Sequence, residues 1–402
     1  MSRILVDSGI GYLGNIPNDW NIFRIKNAFE CEKNIVNDNW SNTQLLSLTT
    51  SGVKEKDIDN PNGKLPDSFD GYQYVEKNNI IMCLFDLDCS AVFSGISKYN
   101  GMISPAYKVL KCKEIMNPDY AGYYFNYISF DRKYMHYSKN IRYTLNYDEF
   151  SSLPMLIPPL EEQKRIASYL DKQCKKINEI INDNNHEIEL IKEYANNCII
   201  KAIISDNSPF IAIKHIFKVI SGSTPSSDNP NYYDGDISWI TPADYKTEDV
   251  YVENGKRNIT IDGYNSCGTS IIPANSIIFS KRAPIGLVAI SKKDLCTNQG
   301  CLSCVPKKDL NIKYFYYQMS TLQENFELEG SGTTFKEISQ DKFKNYKLKY
   351  PDINQQNKIV DYLDNICSRL YQVIDYRKQI IEKLEEYKKS LIYECVTGKR
   401  EV

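Results

Sequence analysis

The feature that most constrains this chain is that much of it is written twice. When the sequence is slid by 193 positions, so that Phe150 lies on Phe343, Pro158 meets Pro351, Gln163 meets Gln356 and Ile166 meets Ile359 without a gap. Tyr169-Leu170-Asp171 then meets Tyr362-Leu363-Asp364, Cys174 meets Cys367, Ile181 meets Ile374, and Glu193-Tyr194 meets Glu386-Tyr387. A register held over about 50 residues marks an internal duplication, and any fold must accommodate two related halves.

Both copies open on proline and then read as long helices. No Gly or Pro occurs from Leu160 to Ser208, nor from Asp352 to Thr397, and Gly398 supplies a stop. The first stretch carries a seam at Ala167, Leu170, Cys174, Ile177, Ile181, Asn184, Ile188, Ile191, Ala195, Cys198 and Ala202. The second repeats it at Val360, Leu363, Cys367, Leu370, Ile374, Arg377, Ile381, Leu384, Lys388, Leu391 and Cys395. Steps that alternate three and four are a heptad pattern, which predicts a coiled coil. Such a seam can pack on its own domain, but two equivalent seams in one chain favour pairing with each other as an antiparallel, intramolecular coiled coil. About 36 seam residues make a rod of roughly 54 Å. Asn184 and Arg377 put a polar residue into the same layer of each seam, where it either fixes register or faces solvent.

The segments before the helices complete the repeat. Ile25-Lys26 and Phe29 match Ile213-Lys214 and Phe217, after which the two segments diverge. Strand-like runs at Ile80–Phe85, Ile237–Thr241, Ile271–Phe279 and Leu287–Ile290, with turn clusters at Ser221–Ser227 and Asp228–Gly235, predict α/β-class domains of mixed α+β type. The expected boundaries are 1–151 for the first globule, 152–207 for the first helical region, 208–344 for the second globule and 345–402 for the second helical region. Like helices carrying unlike globules, related by a pseudo-two-fold, form an arrangement for reading two different things at a set separation.

The chain's 402 residues suit two or three domains. Its net charge of −2 removes the simplest sign of nucleic-acid binding, so any such face must be a local concentration of Lys and Arg. No run approaches the roughly 18–20 apolar residues of a membrane span, and residues 1–19 show no secretory signal. The 12 Cys are scattered, many inside apolar periodic segments, as in a reduced cytoplasmic protein.

Motifs for chemistry are missing. There is no G-x-x-x-x-G-K-[ST] phosphate loop. Asn229-Pro230-Asn231-Tyr232 only partly matches the N-P-P-Y of amino-methyltransferases and lies in a turn-rich stretch, which favours a surface turn. Cys301-x-x-Cys304 near Cys296 lacks the four paired ligands of a closed zinc site, and His136 and His215, the only histidines in the globules, are not near it in sequence, so packed strand cysteines are expected. No metal, no cofactor and no catalytic residue is predicted.

The opening Asp7-Ser8-Gly9-Ile10-Gly11-Tyr12-Leu13-Gly14-Asn15-Ile16-Pro17-Asn18-Asp19-Trp20 resembles the start of specificity subunits of Type I restriction-modification systems. Each helix start, Pro158 to Ile166 and Pro351 to Ile359, is similar to that family's P-x-x-x-x-Q-x-x-I signature, and Thr397-Gly398-Lys399 resembles its tail. In the second globule Ile237–Thr241, Arg282–Gly286, Thr297–Gly300 and Gly332–Phe335 resemble its recognition segments. The first globule departs from them, with Phe85-Asp86-Leu87-Asp88 and Ser104-Pro105-Ala106-Tyr107. The resemblance covers essentially the whole chain. It implies a non-catalytic subunit that binds double-stranded DNA, reads a bipartite asymmetric target, and docks two modification (methyltransferase) subunits and the restriction (motor and nuclease) subunits.

Within that reading, Lys281, Arg282, Asn298 and Gln299 suit base edges, because Arg pairs with guanine and Asn or Gln with adenine in bidentate fashion. Ser223 and Thr224 sit in a small donor-rich loop suited to phosphates. In the first globule Lys98, Tyr99, Lys139 and Arg142 are the nearest counterparts. Each of these side chains also suits an ordinary solvated or capping role. Two other classes remain open: a self-contained methyltransferase or nuclease, and a coiled-coil scaffold without DNA readout.

Overall fold

A computed structural model of the chain describes residues 3–50, 52–58, 68–88, 93–130, 132–138, 143–205, 207–246, 249–282, 284–331 and 336–402. Four helices frame the fold: α1 (Pro118–Phe130), α2 (Leu160–Ile204), α3 (Ile312–Ser320) and α4 (Ile353–Val396). The two stretches free of Gly and Pro are α2 and α4, of 45 and 44 residues. Contacts divide the chain into two compact units, 1–184 with 378–402, and 185–377. Each long helix thus gives one part to each unit.

In the first unit Ala167, Leu170, Cys174 and Ile177 of α2 share a core with Leu391, Ile392, Cys395 and Val396 of α4, and Lys388 donates to Asn178 at 2.8 Å. In the second, Ile199 and Ile203 of α2 pack with Val360, Leu363 and Cys367 of α4, and Arg377 pairs with Glu187. In both units higher numbers on one helix meet lower numbers on the other, so the pairing is antiparallel. The predicted seam is the buried stripe: Leu170 and Leu363 are wholly inaccessible, and none of Ile177, Ile181, Ile188, Ile191, Leu370, Ile374, Ile381 or Leu384 is exposed. Burying a Leu contributes roughly 1.5–3 kcal/mol, which is why the heptad spacing dominates. Asn184 is buried, its amide bonded to the Ile180 carbonyl at 2.8 Å, and Arg377 is half-buried, so neither polar seam residue simply faces solvent.

Each globule is built on one mainly antiparallel sheet. The first holds β1 (Phe29–Glu32), β2 (Ile80–Met82), β3 (Ser94–Ile96) and β4 (Lys108–Cys112) in the order β1-β4-β2-β3. The second holds β5 (Phe217–Ser221), β6 (Tyr251–Val252), β7 (Ile277–Ser280), β8 (Val288–Ser291) and β9 (Cys301–Pro306) in the order β5-β9-β7-β8-β6. The strand expected over Ile271–Phe279 is confined to β7, because Pro273 and an Asn275 at φ +59° break the run. Asn229–Tyr232 is a capped surface turn, with Asn229 accepting from the Asn231 amide.

The signature glutamines join globule to helix. Gln163, fully buried, accepts from the Asn117 amide at 2.8 Å and donates to the carbonyls of Ile115 (2.9 Å) and Pro158 (2.8 Å). Gln356 accepts from the Asn311 amide at 2.8 Å and donates to the Pro351 carbonyl at 2.9 Å. Both amides belong to residues at the starts of α1 and α3, whose Tyr123 and Tyr317 hydroxyls reach Asp171 and Asp364, each at 2.7 Å. The same polar clamp therefore fixes each globule to its helix.

The opening motif is also structural. Leu13, Ile16 and Trp20 are buried, and Gly9 and Gly14 take positive φ. The Trp20 indole donates to Glu162 at 2.9 Å, and Glu162 also holds Arg3 at 2.6 Å. Gly398, at φ +72°, lies so close that an added Cβ would fall 2.3 Å from Pro17 Cγ.

Candidate nucleic-acid interface

The order β5-β9-β7 brings three loops side by side at one end of the second sheet. The chain leaves β5 into Gly222-Ser223-Thr224, enters β9 from Asn298-Gln299-Gly300, and leaves β7 into Lys281-Arg282. They are tied together by backbone hydrogen bonds, from Ser223 to the Thr297 carbonyl at 3.0 Å and from Lys281 to the Gly300 carbonyl at 2.9 Å. Asn298 Oδ1 accepts from the Gly300 amide at 2.9 Å, and Thr224 Oγ1 bonds to Gln299 Oε1. The Trp239 indole holds the Ser223 carbonyl at 3.0 Å. Only glycine fits at 222, where a Cβ would stand 2.1 Å from the Thr297 carbonyl oxygen. The structure thus brings Lys281, Arg282, Asn298, Gln299, Ser223 and Thr224 together, with Arg282 and Gln299 exposed and the others half-buried.

Sequence reasoning missed Glu337. Its two carboxylate oxygens bind Lys281 Nζ at 2.8 Å and Arg282 Nε at 2.7 Å. Burial opposes ionisation of this carboxyl, but the hydrogen bonds from Lys281 and Arg282 outweigh it and hold the group below the ordinary range. Backbone bonds between Glu337 and Ser331 at 3.0 and 3.1 Å, and from Ile338 to the Lys281 carbonyl at 3.0 Å, fix it in place.

The first sheet lets the two globules be compared residue by residue. Ile81 pairs with Val109 and Gly95, as Ile278 pairs with Ser303 and Ala289. Counting along these registers puts Phe85 at the place of Arg282, and Ser104-Pro105 at the place of Asn298-Gln299. The first globule therefore offers an aromatic where the second offers a guanidinium, and Phe85 packs on Tyr107 with ring centroids 5.8 Å apart.

Lys98 and Tyr99 follow β3, which runs opposite to β2, so they sit at the other end of the sheet. Their pairing with the Lys281 cluster is corrected on that ground: strand direction, not residue type, sets which loops correspond. Lys98 lies instead near Asp119 of α1, whose carboxyl is pushed up by burial and by Asp171, against the pull of Lys98. Lys139, Arg142, Ala283 and the Gly332–Phe335 segment lie outside the described residues.

Cys296, Cys301 and Cys304 are buried strand residues, and burial pushes the Cys301 thiol up to about 12. Among the described residues no group of three or more His, Cys, Asp or Glu is placed to hold a metal, and no helix is long and apolar enough to cross a membrane.

The family model for the Type I restriction modification DNA specificity domain matches residues 17–190 and again 206–386. Over 177 residues the chain is 38% identical to the Type I restriction enzyme MjaIX specificity subunit of Methanocaldococcus jannaschii, an alignment covering 43% of this chain and 40% of that one. Over 191 residues it is 26% identical to the Type I restriction enzyme EcoR124I/EcoR124II specificity subunit of Escherichia coli, covering 44% of this chain and 46% of that one. The chain thus spans less than two thirds of the length of these curated relatives. A chain solved in work on complex assembly and conformational transition of the type I R-M system has the same fold, with a TM-score of 0.71 over 96% of this chain and 99% of that one, at 14% identity. A duplicated sequence, a duplicated clamp and two matches to one domain agree: the chain belongs to the Type I restriction modification DNA specificity domain family.

Proposed function

We propose that the chain is the DNA-reading subunit of a Type I restriction-modification complex, without catalytic chemistry of its own, acting in the cytoplasm. Residues 1–151 and 208–344 are its two recognition domains, and each reads one half of a bipartite, asymmetric double-stranded target. The helical regions 152–207 and 345–402 set the separation of the half-sites and dock two methyltransferase subunits, with restriction subunits joining the larger assembly. What carries the reading is the convergence of Lys281, Arg282, Asn298, Gln299, Ser223 and Thr224 at one end of the second sheet. Arg, Asn and Gln are the side chains that read base edges in the major groove, and small hydroxyl residues hold phosphates. The corresponding end of the first sheet presents different residues on the same frame, which suits unlike half-sites. With a net charge of only −2, binding by the isolated chain is weak and salt-sensitive, and the methyltransferase subunits complete the grip and flip the target base into their own pockets.

The reading is tested by replacing residues 209–343 with the matching segment of a relative of different specificity, and mapping methylated sites in cells that also make the methyltransferase subunits. One half-site should change while the other and the spacer stay. A map in which both half-sites change, or neither, overturns the reading. Insertion of one heptad into both α2 and α4 adds about 10.5 Å, or about three base pairs, and should lengthen the spacer alone. An unchanged spacer with altered base preferences would refute the role of the helices.

A further inference from the structure

The contact between Glu337, Lys281 and Arg282 needs a reason beyond charge balance, and the inference drawn from it rests on the proposed reading of the second sheet's end. Surface ion pairs between single side chains contribute little to stability. Here one carboxylate serves two cations from adjacent positions, and it uses a different oxygen for each. Arg282 is held through Nε alone. Its two terminal nitrogens make no hydrogen bond among the described residues, and the side chain is 46% exposed. A guanidinium fixed at Nε and free at both terminal nitrogens is a preset fork for two acceptors side by side. Lys281 is different: its side chain is 13% exposed and its ammonium is turned onto Glu337.

We propose that Glu337 is a positioning and specificity-determining residue, which braces Arg282 to present its fork to a guanine edge in the second half-site and cancels the charge of Lys281 so that the site does not grip phosphate indiscriminately. The brace improves discrimination by fixing the fork before DNA arrives, and the charge cancellation weakens binding to every sequence alike. Removing the carboxylate should therefore raise affinity for unrelated DNA while relaxing choice at one base pair. A residue that only supported the fold would not produce those opposite effects.

The test uses the full chain assembled with its methyltransferase subunits, the duplex identified as its target by methylation mapping, and an unrelated duplex. Binding is measured across a salt series for the unaltered complex, E337A, E337Q and R282A, with thermal unfolding as a control on folding. E337Q keeps an acceptor for Arg282 Nε but frees the Lys281 charge. It should bind unrelated DNA several-fold more tightly, with a salt slope steeper by about one, and keep its base preference. E337A should show the same gain and also lose about 5- to 150-fold discrimination at one position of the second half-site, the worth of a bidentate base contact. Unchanged salt slopes in both variants, or full discrimination in E337A, overturn the brace. R282A distinguishes the reading site from the brace. If R282A itself keeps every base preference, base reading is not at this end of the sheet. If R282A loses a preference that E337A retains, only the brace fails.

Discussion

Gln163→Leu lowers the stability of the first unit by about 3–9 kcal/mol, because it leaves three backbone groups without partners. The amide of Asn117 and the carbonyls of Ile115 and Pro158 all point at a side chain with no solvent access. Each unpaired buried group costs about 1–3 kcal/mol. The loss exceeds that of an average core substitution because water cannot enter to replace the amide. Gln163→Glu fares no better, since a carboxylate would face two carbonyl oxygens. Gln356→Leu strands two groups, the Asn311 amide and the Pro351 carbonyl, and costs the second unit about 2–6 kcal/mol. Urea unfolding followed by fluorescence reads both, with the earlier transition expected in the unit that carries the substitution. A shift below about 1 kcal/mol for either variant would show that the glutamines do not clamp.

Gly222→Ala is expected to abolish selection of the second half-site while the first is still read. The added methyl would stand 2.1 and 2.3 Å from the carbonyl oxygens of Thr297 and Asn298, and those are backbone atoms rather than side-chain ends that can swing away. Overpacking of this kind typically costs about 1–3 kcal/mol. The strain falls on the contact that sets Ser223 and Thr224 beside Asn298 and Gln299, so loop and turn must part. Asn34 occupies the corresponding place at the end of β1, where it is exposed, so the close approach belongs to the second globule alone. Methylation mapping of cells carrying the variant checks this result. A map identical to that of the unaltered chain would show that the loop plays no part in recognition.

The duplication, the two helices and their seams could be read from the sequence because each is periodic or repeated. Leu170 and Leu363 announce themselves by spacing, and a signature glutamine found twice at the same distance from a proline points to a shared task. The task itself was hidden, since the partners of Gln163 lie in the globule, at Ile115 and Asn117. In the second globule the types of residue at 281, 282, 298 and 299 suggested base reading, and the strand order supplied what residue type lacks, namely adjacency. Glu337 left no trace because an ion pair across 55 positions has no period and no motif. Lys98 shows the same limit: residue type does not place a loop, because strand direction decides which end of a sheet it occupies.

The division of the chain has a consequence for its synthesis. The first unit needs residues 378–402, yet most of it emerges before residue 184. At about 5–20 residues per second, the ribosome takes roughly 10–40 s to pass from one boundary to the other. Through that interval Leu170, Cys174 and Ile177 lack the cover of Leu391, Ile392 and Val396, which leaves a nascent apolar surface open to water. Genetically, the half translated first is hostage to the codons translated last. A nonsense mutation just after codon 377 would spare the coding region of the N-terminal globule and still strip its core of Leu391, Ile392, Cys395 and Val396.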